Sequence, residues 1–262
     1  MLLVITGCIR VEDETPYVVV RDITERLNGY LETIRWAIEE TAFTEIVFGD
    51  NSAYPLDTVE EVQRLKSLSE DVGKCFEYYS FQGDVDAVRM KGKGYGEGEI
   101  LAYLYENSSI MQRSRYYYKI TGRLTINNID KIHLSDKPEN MFIFDVGGDI
   151  RSVDTRFYKI KTKDYKDFFK DAYLSVNDSK NMVLEYVYYA VLAEQHLPFK
   201  RFNRSLEFRG KSGSSGTEYC KSFNENILMR VVYRSFLYRT YWGRVILRCI
   251  RRISVSVDYS RK

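Results

Sequence analysis

Cysteine, proline, histidine and tryptophan are scarce in this chain of 262 residues, which has four Cys, four Pro, two His and two Trp. The cysteines, Cys8, Cys75, Cys220 and Cys249, lie far apart and form no Cys-x-x-Cys pair. That spacing argues against a zinc site and a disulfide framework, and it fits a reducing compartment. No run of about 18 apolar residues is present, so nothing reads as a membrane-spanning helix. Ile5-Thr6-Gly7-Cys8 has the outline of a lipoprotein cleavage box, yet no basic stretch precedes it and the apolar run before it is too short for a signal sequence. Export is therefore not expected. Internal repeats, low-complexity tracts, a Pro-rich linker and the GxxxxGK-Ser/Thr phosphate loop are also missing.

Apolar side chains are plentiful: at 44% of the chain they suffice for the core of one large α/β domain. The formal charge of +2 conceals an asymmetry, because the last 36 residues carry nine Arg or Lys against one Asp, leaving the remainder net acidic. Residues 1–226 are accordingly expected to form the α/β domain, and 227–262 a basic amphipathic helix and tail. In the tail, aliphatic and aromatic residues with Trp242 alternate with Arg230, Arg234, Arg239, Arg244, Arg248, Arg251 and Arg252. Such a helix reads as lying on an anionic membrane surface. Packing onto the core is the alternative, and nucleic acid is not expected as a partner because no nucleic-acid motif accompanies the charge.

Residues 2–9, LLVITGCI, form a continuous apolar run, the mark of a buried parallel strand. Ile23, Leu27, Tyr30, Leu31, Ile34, Ala37 and Ile38 fall at helical spacing over 22–41. A strand over 45–48 ends in Gly49-Asp50-Asn51-Ser52, a polar turn at the strand edge that holds ligands in open α/β sheets. A charged helix over 56–70 and a strand over 75–81 follow. Residues 91–99, KGKGYGEGE, read as a basic glycine-rich loop: Lys91 and Lys93 bring charge, and Gly92, Gly94, Gly96 and Gly98 let backbone amides approach a ligand. A helix from Glu97 and Glu99 to about Met111 then turns its N-terminus to that ligand. A mobile surface loop is the plainer alternative.

A strand over 116–120 ends in Lys119-Ile120-Thr121-Gly122-Arg123, where Lys119 and Arg123 could neutralise a diphosphate or be ordinary solvated charges. Residues 127–134 and 141–146 suggest a short helix and a strand. Asp145, Asp149 and Asp154 cluster with Arg151 and Arg156, offering a general base or a set of surface ion pairs. Helices are expected over 165–173 and 181–194. Glu185 stands in the second among tyrosines and apolar residues, where a half-buried carboxylate is either catalytic or held structurally by tyrosine. His133 and His196 read as packing or surface residues. Residues 208–219, FRGKSGSSGTEY, read as flexible.

The order of LLVITG, GDNS, KGKGYGEGEI, YYYKITGR and RGKSGSSGTEY before a basic tail resembles bacterial surface-polysaccharide glycosyltransferases of the type A, nucleotide-diphospho-sugar-binding fold. The resemblance implies a single Rossmann-like domain with a mostly parallel sheet flanked by helices. It also implies transfer of a sugar from a nucleotide-sugar donor to a growing glycan, often lipid-linked. Thr6, Gly7, Asp50 and Asn51 would then line the base and ribose. Lys91, Lys93, Gly94, Gly96 and Glu97 would close on the donor, and Lys119, Thr121, Gly122 and Arg123 would face its diphosphate. Glu185 would take the acceptor's proton, with Asp154 as second choice. The tail would hold the enzyme on the inner face of the cytoplasmic membrane. At the end of the strand over 116–120, the Asp-x-Asp pair that holds a divalent metal in such enzymes is missing, which leaves metal dependence open.

Overall fold

The computed structural model describes residues 1–12, 15, 18–143 and 151–211, with 216, 218, 219, 242 and 245 in addition. The opening apolar run is strand β1 (Leu2–Gly7), buried at every position. Helix α1 (Ile23–Glu39) is started by Asp22, whose carboxylate accepts from the Glu25 backbone N–H. Next come β2 (Glu45–Asp50), α2 (Glu60–Asp71), β3 (Cys75–Ser80), α3 (Val85–Lys91), α4 (Lys93–Asn107), α5 (Ser109–Arg113) and β4 (Tyr116–Thr121). After β5 (Leu124–Ile126), β6 (Asn140–Met141) and β7 (Phe157–Lys161), the chain forms α6 (Thr162–Asp164), which runs into a π turn. It ends its described part with α7 (Leu184–Glu194), β8 (Phe199–Lys200) and β9 (Phe208–Gly210).

Among the described residues, seven strands make one sheet in the order β3-β2-β1-β4-β7-β6-β8. β3, β2, β1 and β4 are parallel, and β7 runs antiparallel to β4. The protein is thus α/β, with a mostly parallel central sheet flanked by helices. Because side chains alternate along a strand, Leu3, Ile5, Phe48 and Ile120 pack with α1, while Leu2, Val4, Val47 and Tyr117 pack with α4 and α7 on the other face. Burial on both faces is why β1 reads as an unbroken apolar run.

Residues 91–99 are not a loop. α4 starts at Lys93, ahead of the expected start at Glu97, and carries Gly94, Gly96 and Gly98 in its first turns. Each glycine costs about 1 kcal/mol relative to alanine in a helix, and close packing is what offsets it. A Cβ on Gly98 would lie 2.1 Å from the Tyr173 Cβ, and one on Gly94 3.3 Å from the Leu184 Cβ. Gly98→Ala is expected to destabilise the protein by about 1–3 kcal/mol through overpacking, as read from the midpoint of urea unfolding. The break between α3 and α4 is Gly92, at φ +98°, and the first amides of α4 bond to Asp178. The helix N-terminus expected to face a ligand is therefore capped by the chain's own carboxylate.

Two further expectations change. The helix over 165–173 is a π turn (Tyr165–Phe169) followed by a 3₁₀ turn (Ala172–Ser175). The stretch expected to be flexible from 208 opens with β9, which pairs antiparallel with β5. Asp145, Asp149 and, apart from Trp242 and Val245, the basic tail over 227–262 lie outside the described residues.

Candidate functional site

The chain lays β2 and β3 outward on one side of β1, then returns to place β4 on the other. That reversal makes the carboxyl ends of β1 and β4 the switch point of the sheet, the place where open α/β folds hold ligands. Thr6 and Thr121 are register partners there. Strand alternation sends them, with Lys119, to the face covered by α4 and α7.

Lys119 does not face solvent or an open phosphate site. It is 0% exposed, and its ammonium donates to the Glu97 carboxylate, to Thr121 Oγ1 (2.7 Å) and to the Thr155 carbonyl (2.8 Å). The Thr155 hydroxyl in turn donates to Glu185 Oε1 at 2.9 Å. Glu185, in the first turn of α7, keeps part of its surface accessible. Burial pushes its proton affinity up, and the charges of Glu97 and Asp154 add to this against its own backbone N–H and Thr155. Glu97 also remains partly accessible, with 21% of its side chain exposed. Two carboxylates from different helices thus meet over β4, one held by a cation and one by neutral donors.

Asp154 is bound to the backbone and guanidinium of Arg156. Burial works against the charge of Arg156, but Asp154 more than compensates and raises its proton affinity. Arg156 also lies over the rings of Phe208 (4.4 Å) and Tyr219 (5.0 Å), so the pair ties β9 to the start of β7. That leaves Asp154 committed to an ion pair and Glu185 the more available carboxylate.

Asp50 is fully buried, and its carboxylate is surrounded by donors from the chain itself. It accepts from the backbone N–H groups of Ile9 (2.7 Å), Ser52 (3.1 Å) and Tyr54 (3.2 Å) and from the hydroxyls of Ser52 and Ser80. It therefore shapes the strand-end loops and does not reach into the crevice. Asn51 beside it donates to Glu99 at 3.2 Å, while its Oδ1 and the Thr6 Oγ1 are buried without a hydrogen-bond partner among the described residues. Both orphaned oxygens sit at parallel strand ends, where a ligand's donors could meet them.

On the α1 side of the strand ends, the Gly122 N–H donates to the Thr6 carbonyl (2.8 Å), and the Tyr30 ring fills the space a Cβ would take. Gly7 is crowded likewise by Phe48 and Tyr30. Arg123, at φ +66°, lays its guanidinium 5.6 Å from the Tyr30 ring centre. Its Nε is buried without a hydrogen-bond partner among the described residues. Lys91 donates to the Leu174 carbonyl (3.0 Å) and lies over Tyr95, and Lys93 is exposed at the start of α4. Gly94 and Gly96 sit in helix contacts.

Sequence reasoning did not single out Thr155, Asp178 or Tyr30. Thr155 offers no local signal, because its role comes from Lys119 on β4 and Glu185 on α7 meeting it from opposite sides. Asp178 shows only after α4 is known to start at Lys93.

The end of β4 offers Thr121, Gly122 and Arg123 in place of an acidic pair. Among the described residues no group of three or more His, Cys, Asp or Glu is placed to hold a metal ion. The side chains at this strand end, Thr121 and Arg123, include no carboxylate. No helix of the described residues is long and apolar enough to cross a membrane. No protein-family model matches the chain, and no curated protein matches it.

Proposed function

We propose that the chain is a glycosyltransferase, moving a sugar from a nucleotide-activated donor to a growing bacterial surface glycan carried on a lipid. The observation that carries the reading is Glu185, a partly accessible carboxylate of raised proton affinity, oriented by Thr155 beside the switch point of an α/β sheet. In this reading Glu185 takes the proton from the acceptor hydroxyl as its oxygen attacks the anomeric carbon. The bond from that carbon to the diphosphate breaks, and the nucleoside diphosphate leaves with the electron pair. Arg123, a cation on the α1 side of the same strand ends, meets the leaving charge, and the orphaned oxygens of Thr6 and Asn51 receive donors of the nucleoside. The basic tail, outside the described residues, holds the enzyme on the anionic inner face of the cytoplasmic membrane, where a lipid-linked acceptor resides.

A panel of nucleotide sugars, followed by thermal shift and by release of nucleoside diphosphate, with and without chelator, tests the reading. One donor is expected to raise the melting temperature and to be turned over when an acceptor is supplied. A response to none of them would remove the reading. Binding without product would instead favour a non-enzymatic nucleotide-binding module.

A further inference from the structure

Lys119 is buried in β4 with its three ammonium protons directed to Glu97, Thr121 Oγ1 and the Thr155 carbonyl. A lysine removed from water in this way is a poor device for stability alone, since its desolvation consumes most of what the ion pair contributes. The arrangement does something else. The Thr155 carbonyl accepts from Lys119 while the Thr155 hydroxyl donates to Glu185. One hydrogen-bonded chain therefore runs from Glu97 on α4 through Lys119 on β4 and Thr155 ahead of β7 to Glu185 on α7.

We infer that Lys119 is a positioning residue, joining Glu97 and Thr155 so that two neighbouring carboxylates are held in unlike surroundings and Glu185 alone is presented to a proton. The catalytic meaning of this role rests on the glycosyl-transfer reading above; the network itself does not. The groups facing Glu185 are Glu97 from α4 and Asp154 and Thr155 from the segment before β7, with Asp154 covered by Arg156. Tyr158 and Tyr188, packed below, also feel the charge of Glu97 behind the dominant effect of burial. Glu97 is held by a cation, whereas Glu185 is held by neutral donors and is the carboxylate whose proton affinity burial raises. Lys119 thereby acts on Glu185 at one remove and makes no contact with the donor.

Titration of the Glu185 carboxylate reads this network without turnover. The probe is carbon-13 NMR of the full chain labelled in glutamate, with the resonance assigned by its loss in Glu185→Gln. Glu97→Gln is expected to lower the midpoint of Glu185 and Lys119→Met to raise it, each by about one unit. The acid limb of kcat/KM should move the same way with the active donor, and Lys119→Met should lower kcat while leaving the donor dissociation constant within about threefold. A midpoint unmoved by either substitution overturns the proposal. So does a loss confined to donor affinity, which would put Lys119 on the diphosphate. Should Lys119→Met fail to fold, Glu97→Gln alone decides: its Glu185 midpoint is expected about one unit below wild type, and a wild-type midpoint overturns the proposal. Absence of transfer from every donor would sink the glycosyl-transfer reading, and the titration shifts would still decide the network.

Discussion

Glu185→Gln is expected to lower turnover by about 10²- to 10⁴-fold, the usual worth of a positioned general base, while nucleotide affinity is unchanged. Glutamine keeps the shape and can still accept from Thr155, so the loss isolates the proton-accepting step. The same substitution has an opposite effect on stability. Burial holds the Glu185 carboxyl above its ordinary value of 4.5, so between that value and its raised one the folded state binds more protons than the unfolded chain. Stability therefore falls as pH rises through this window, and above it the full cost of the buried charge is present. Glutamine carries no such cost. The variant should melt higher than wild type at neutral pH, with the gain shrinking as pH falls toward ordinary carboxylate values. Thermal melts at several pH values alongside a single-turnover assay check both halves. Unchanged turnover would remove Glu185 as the base, and a variant destabilised most at neutral pH would contradict the desolvation argument.

Asp50→Asn is expected to cost about 3–5 kcal/mol, because buried N–H groups of the loops and of the new amide go without acceptors at about 1–3 kcal/mol each, although the two side chains have nearly the same shape. Both carboxylate oxygens of Asp50 accept: Oδ1 from the Ile9 N–H, Oδ2 from the Ser52 and Tyr54 N–H groups and the Ser80 hydroxyl. An asparagine replaces one acceptor with an NH₂ group, which would point donors at donors whichever way the amide is turned. Buried N–H groups then lose their partners. For a chain of this size each kcal/mol moves the melting temperature by about 2–4 °C, so a fall near 10 °C is the expected reading. Ser80→Ala, which removes one hydroxyl donor and leaves the backbone donors in place, should cost far less. A melting temperature of Asp50→Asn close to wild type would show that the carboxylate is not needed to close the strand-end loops.

The two residues illustrate how far local pattern reaches. Glu185 could be picked out because a lone carboxylate in a run of Leu, Tyr and Val has few cheap places to go. Asp50 could be picked out as a polar residue at a strand end, but nothing nearby in the chain distinguishes a ligand contact from a loop organiser. Its main donors include Ile9 from the end of β1 and Ser80 from β3, and only the parallel pairing of three strands brings them to one carboxylate. Lys119 follows the same rule: its position in β4 was legible, its burial was not, because Glu97 reaches it from α4 across the sheet face.

By itself, the amino-acid sequence determined the alternation and length of the apolar runs, and with them the strands β1 to β4, helix α1 and the α/β class. Those depend on periodicity, which is a property of neighbours along the chain. Tertiary structure decided whether KGKGYGEGE is loop or helix, and whether Lys119 is exposed or paired. Glycine's helical cost of about 1 kcal/mol is small beside the contacts that a missing Cβ permits, and those contacts come from Tyr173 and Leu184, far along the chain. A lysine's environment is likewise set by which carboxylate the fold brings to it, and that is decided by packing between elements.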